Sequence, residues 1–94
     1  MSREWVFYVD DMIAFSEKVL FYTAKLNQTE FESNSLIYDA TLRNVELIGE
    51  AATHIPLEIR TVYSNITWRQ IIALRNRLIH AYLGLDNDIL WYVI

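Results

Sequence analysis

The chain contains no cysteine, which removes both a disulfide framework and a thiolate metal site. It has only two histidines, His54 and His80, far apart in sequence, so an imidazole-based metal site within one chain is not expected. A single proline, Pro56, and two glycines, Gly49 and Gly84, leave little to break or turn the backbone. With Leu, Ile and Ala plentiful, that scarcity predicts an all-α fold. No apolar run approaches the roughly 20 residues that span a bilayer. The opening "MSREWVFYVDD" has charges on both sides of a short apolar run and no small-residue cleavage site. These absences predict a cytoplasmic protein with no membrane role. Positive charge is also short: 8 Lys and Arg against 12 Asp and Glu give a formal net charge of −4, which argues against broad nonspecific binding of nucleic acid. A local basic site remains compatible with that total, because Arg69, Arg75 and Arg77 lie within nine positions of one another.

What is present is apolar and helical in pattern. Ninety-four residues, 53% hydrophobic and 21% charged, make one globular domain over residues 1–94, too apolar to be disordered. A first helix is expected from Glu4 to Asn27. The polar stretch 27–35, "NQTEFESNS", reads as a connection. A second helix is expected from Leu36 to His54, and Pro56 then opens a short one, "PLEIRTVYS". Thr67 is a plausible N-cap for a helix from Trp68 to Leu83, which Gly84 stops. Asp86 caps a last helix, "NDILWYVI", which ends in mid-pattern at Ile94; this reads as the loss of a turn or more of the natural C-terminus. The sum is an up-and-down bundle of four main helices plus a short one.

Two helical wheels isolate candidate residues. On the second helix Asp39, Arg43, Glu46 and Glu50 fall in a band only about 60° wide, while nearly everything else is apolar or small. The band is either a solvated face laced by Asp39–Arg43 and Arg43–Glu46 pairs, or the lining of a groove that orients a neighbour's cation. On the next long helix Ile71, Ile72, Leu78, Ile79, Tyr82 and Leu83 form an arc of about 140° centred near Trp68. Arg75 falls near the middle of that arc, where a guanidinium is costly unless paired or wet. It is either a structural arginine satisfied by Glu46 or Glu50, or a group kept for chemistry in a polar cleft. Asn76, Arg77 and His80 lie on the polar side. His80 is either a partly exposed polar residue or an acid–base group. Asn76, one turn before it, could fix which imidazole nitrogen carries the proton. Arg75 points about 140° away from His80, so the two converge around the helix end or by pairing with the same helix of a second subunit. The first, second and last helices carry more apolar surface than so small a domain covers, which independently implies a dimer.

The segment "RNRLIHAY" (75–82) carries the pattern R-x4-H-x-Y. With the upstream "RNVELIGEAATHIP" and the longer "ITWRQIIALRNRLIHAYLGLDNDILW", it resembles the HEPN-domain toxins of the HepT-like type over about residues 36 to 92. The resemblance implies an up-and-down helical bundle that homodimerises with the motifs of two subunits facing each other in a cleft. It also implies a metal-independent ribonuclease that uses no cofactor. The implied partner is a minimal nucleotidyltransferase antitoxin, which attaches AMP to the motif tyrosine and could join a higher hetero-oligomer. Carried onto this chain, Arg75 and His80 become the catalytic pair, Asn76 the supporting polar residue and Tyr82 the modification site.

Those roles are chemically coherent. RNA carries its own nucleophile, the 2′-OH, so cleavage needs proton transfer and charge stabilisation rather than a metal. An imidazole with an unperturbed pKa of about 6.5 exchanges that proton near neutrality, and a guanidinium offers a fixed fork to phosphoryl oxygens. Arg77 and Arg69 are either holders of flanking phosphates or solubilising charges. The competing classes are a non-catalytic module that docks or serves a nucleotidyltransferase, and a plain helical dimerisation domain, for which Arg75→Leu would be harmless or stabilising.

Overall fold

The computed structural model describes residues 3–80 and 87–94, together with the side chains of all of these except His80 and Val93. Six helices lie among the described residues: α1 (Trp5–Thr23), α2 (Gln28–Ser33), α3 (Ser35–Thr53), α4 (Leu57–Val62), α5 (Trp68–His80) and α6 (Asn87–Val93). The fold is all-α. Leu83, Gly84 and Asp86, expected to end α5 and cap α6, lie outside the described residues.

The main departure from the sequence reading is α2. The stretch 27–35 holds a short helix rather than a plain connection, and α1 stops at Thr23 instead of Asn27. The cause is local. The Glu30 amide donates to Asn27 Oδ1 at 2.8 Å, and the Asn27 amide donates to Glu30 Oε1 at 3.0 Å. This reciprocal capping box satisfies two donors that a helix start otherwise leaves open. It turns Phe31 inward, where the ring is fully buried and sits 5.2 Å, centroid to centroid, from both Tyr38 and Trp91. Asn34 then caps α3 through the Ile37 amide.

α3 is the central helix, packed against α1 on one side and α5 on the other. Its buried positions, Thr41, Leu42, Asn44, Val45, Gly49, Ala51 and Ala52, span about half of its girth. Leu42 and Val45 join Val19, Phe31, Leu74, Leu78 and Leu90 in one core cluster. At the far end Arg60 of α4 folds back to donate to the carbonyls of Ile55 (3.0 Å) and Ala52 (3.1 Å), tying off the last turn of α3 with a cation where the helix dipole favours one. Near the start of α3, the Tyr38 hydroxyl donates to Asn87 Oδ1, and Gln28 donates to Asp88, so α6 is fastened to α2 and α3. Burial, then the Glu32 and Asp39 carboxylates, raise the Tyr38 phenol above its ordinary value of 10.0.

α5 is turned differently from its wheel. Leu74 and Leu78 are its buried positions, flanked by Ile71 and Arg75, whereas Ile79, placed within the arc, is 43% exposed. Residues 71, 74, 75 and 78 are the i, i+3, i+4, i+7 edge that meets α3. The apolar arc is wider than the one helix it packs on, so its Ile79 side is left uncovered. None of the helices among the described residues is long and apolar enough to cross a membrane.

Candidate functional site

The crossing of α3 and α5 is unusually close at one point. A Cβ added to Gly49 would lie 2.2 Å from Arg75 Cβ, 2.9 Å from its Cγ and 3.1 Å from the Ile71 carbonyl oxygen. Only a residue without a side chain admits α5 there, and what it admits is the stem of Arg75. The stem is thereby laid across the α3 backbone, and the guanidinium emerges beside the next residue, Glu50.

The head of Arg75 is held on two sides. Nη2 donates to Glu50 Oε2 in a short charge-assisted bond, and Nη1 donates to Asn76 Oδ1 at 2.8 Å. Nε is buried and has no hydrogen-bond partner among the described residues. The side chain is 24% exposed, so the group is neither in the core nor loose in water. Of the two readings of Arg75, the pairing with Glu50 is present, and among the described residues it leaves donors of the same guanidinium unused.

Glu50 has a second neighbour. Its Oε1 lies 3.6 Å from His54 Nε2, one turn along α3, and the His54 ring stacks on Tyr8 of α1 with centroids 4.4 Å apart and planes 9° apart. A continuous row thus runs Asn76, Arg75, Glu50, His54, Tyr8 across three helices. The wheel had put Glu50 on the charged stripe and had named it as a partner for Arg75. His54 and Tyr8 were not anticipated as its companions, although the i, i+4 spacing of Glu50 and His54 was a visible signal.

Arg43 donates to Glu46 at 2.8 Å on an exposed surface. Asp39, Arg43 and Glu46 also line a shallow cleft of about 200 Å³ with Leu78 of α5. On the other side of α5 an open groove of about 800 Å³ separates it from α4, and Arg69 and Asn76 are among its lining residues. Asn76 therefore touches the Arg75 head and faces this groove, whereas Arg77 is exposed and does not line it. His80 closes α5 with its backbone; its side chain, and all of Tyr82, lie outside the described residues.

The family described as Ribonuclease HepT-like matches residues 12–94. The chain belongs to this family. A Methanocaldococcus jannaschii protein named "Putative RNase MJ1380" is 33% identical over 93 residues, covering 99% of this chain and 85% of its own length. A Thermococcus cleftensis protein named "Probable ribonuclease HepT" is 32% identical over 91 residues, covering 97% of this chain and 83% of its own. A longer M. jannaschii protein, "Gamma-glutamylcyclotransferase and putative RNase MJ0434", is 30% identical over 94 residues; these are all of this chain and 42% of that one. No solved structure matches the chain. In this HepT-like chain the R-x4-H pattern begins at the arginine that Gly49 admits and Glu50 and Asn76 hold, and it ends on the last residue of α5.

Proposed function

We propose that this HepT-like chain is a metal-independent endoribonuclease. The carrying observation is Arg75: a cation fixed at the α3–α5 crossing, with donors to spare, at the head of the R-x4-H pattern. A base takes the proton of the RNA 2′-OH as that oxygen attacks the adjacent phosphorus. The P–O5′ bond breaks, and an acid returns a proton to the leaving 5′ oxygen, giving a 2′,3′-cyclic phosphate and a 5′-OH. His80 serves as base or acid. Arg75 stabilises the phosphoryl oxygens as charge builds on them, and Asn76 keeps its plane. Arg69, in the α4–α5 groove, can hold a flanking phosphate; Arg77 has weaker support, being exposed outside that groove.

The working unit in this reading is a homodimer with the α5 helices facing each other, so that Arg75 and His80 of different protomers share a site. The exposed Ile79 edge of α5 supports that contact. The biological role is that of a toxin, silenced when a minimal nucleotidyltransferase antitoxin attaches AMP to Tyr82. The second reading, a non-catalytic module that docks such a partner, draws support from the Arg75–Glu50 ion pair, which also fits a purely structural arginine.

The deciding experiment incubates purified protein with total RNA in the presence of a chelator. Cleavage that survives chelation, and is lost in Arg75→Ala and His80→Ala with helicity retained, is the expected result. Activity abolished by chelator, or unchanged in both variants, sinks the mechanism.

A further inference from the structure

We infer that Glu50 is a positioning residue for Arg75, holding the guanidinium in one orientation before any RNA arrives. This rests on the ribonuclease reading above. A guanidinium carries five N–H donors in a planar fork. Here, among the described residues, one Nη2 donor goes to Glu50 and one Nη1 donor to Asn76, while Nε is buried and unpartnered, which leaves one N–H on each Nη for a ligand. The stem is pinned as well, because Cβ and Cγ of Arg75 rest on Gly49 with no room for an intervening methyl group. Gripped at stem and head, the arginine does not have to be ordered by the phosphate it meets. That is how a charge-stabilising group gains effect in a transition state.

Glu50 has a second neighbour on its far side. Its second oxygen faces His54 at 3.6 Å, and His54 is stacked on Tyr8. The carboxylate therefore sits between an imidazole stacked on α1 and a guanidinium anchored on α5. A stability role would gain little from this arrangement. The two side chains are 47% and 24% exposed, and an ion pair so open to water contributes little to folding. Asn76 cannot replace it, since a neutral amide oxygen holds a guanidinium less strongly than a carboxylate does.

The test compares the full chain with Glu50→Ala and Glu50→Gln, measuring kcat and KM on a short RNA and the side-chain nitrogen NMR signals of Arg75. The expected result for Glu50→Ala is a kcat lowered by about tenfold or more with KM nearly unchanged, the signature of an interaction made in the transition state. Glu50→Gln keeps an acceptor at the same place, so it recovers a substantial part of kcat. The Arg75 Nη signals, distinct in the parent because rotation is restrained, merge in Glu50→Ala. An unchanged kcat in Glu50→Ala, or a Glu50→Gln protein as impaired as Glu50→Ala, overturns the inference. If Glu50→Ala does not fold, a Glu50→Gln protein with the parent's kcat and Arg75 signals overturns it, and a partial loss of kcat at constant KM supports it. If the parent chain cleaves no RNA, the ribonuclease reading fails by itself. The NMR arm then decides the positioning claim, with identical Arg75 signals in parent and variant refuting it.

Discussion

Arg75 was conspicuous in the sequence because a charge stood inside an apolar arc, and the structure shows what makes that tolerable: a glycine beneath its stem and a carboxylate at its head. Glu50 was legible as a partner from its stripe. The role of Asn76 was not, since helical spacing linked it to His80 while the side chain turns to its immediate neighbour, Arg75. A wheel scores direction from the axis and is blind to a guanidinium long enough to bend back along it. Tyr82 belongs to the same argument. It lies outside the described residues; the sequence expectation of a helix running to Leu83 puts it, seven residues after Arg75, within about 20° of the same direction. An adenylyl group there would place a phosphodiester near the guanidinium and compete with RNA for it. Under the proposed function, co-expression with a minimal nucleotidyltransferase should add the mass of AMP to a peptide containing Tyr82. A Tyr82→Phe protein that the partner's enzymatic activity still silences would refute the assignment. Tyr38 gives a prediction independent of function. Its phenol is raised in the folded chain, so folding loses stability as pH rises from about 10, where the unfolded phenol begins to ionise, through the higher folded value. Below that window the group is neutral in both states and contributes no slope. Denaturant midpoints measured between pH 9 and 11 (roughly, bracketing the phenol range) should fall more steeply for the parent than for Tyr38→Phe.

Helix-scale features were read well where they depended on periodicity and poorly where they depended on side chains bonding to backbone. The long helices and the Pro56 start of α4 follow from apolar spacing and the scarcity of breakers. α2 was missed because Asn27, Ser33, Asn34 and Ser35 crowd its two ends, although N-x-x-E followed by Phe31 is the signature of a capped turn. Asn27→Ala should therefore cost about 1 kcal/mol, the usual worth of an N-cap, and a thermal melt should show it as a drop of several degrees. Gly49 carries a different kind of information. A glycine inside a helix normally costs about 1 kcal/mol relative to alanine, so on propensity alone Gly49→Ala would stabilise. The clash is between two Cβ atoms, which no rotamer change relieves, so α5 must move away from α3. Overpacking of this kind costs about 1–3 kcal/mol. The expected outcome is net destabilisation despite the better propensity, accompanied by loss of RNA cleavage as Arg75 is pushed off Glu50. A variant with a raised melting temperature and full activity would show that the crossing has slack.

At the scale of the whole molecule the question is what completes the site. α3 spends its surface on α1 and α5, and the outer edge of α5 is left with Ile79 in the open, next in sequence to the motif histidine. One isoleucine does not by itself demand a cover, but in the proposed dimer a two-fold axis beside it would bring the α5 helices of two copies together. The sequence expectation is a separation of about 140° between Arg75 and His80 around one helix, which would make one protomer a poor acid–base and charge-stabilising pair by itself; the His80 side chain lies outside the described residues. Two protomers can supply what one lacks. If Arg75 of one copy works with His80 of the other, then Arg75→Ala and His80→Ala are each inactive as homodimers. Dissociated and reassociated together, they form mixed dimers with one intact composite site. Random pairing makes half of the dimers mixed, and each mixed dimer has one of its two sites, so activity should return to about a quarter of the parent's. Light scattering on the same samples checks that dimers are present. A pure monomer at tens of micromolar, roughly where dimers of this kind should persist, removes the two-fold site altogether. Stable mixed dimers that recover no activity would mean that Arg75 and His80 act within one chain, and that the α5 helix bends or ends so as to bring them together.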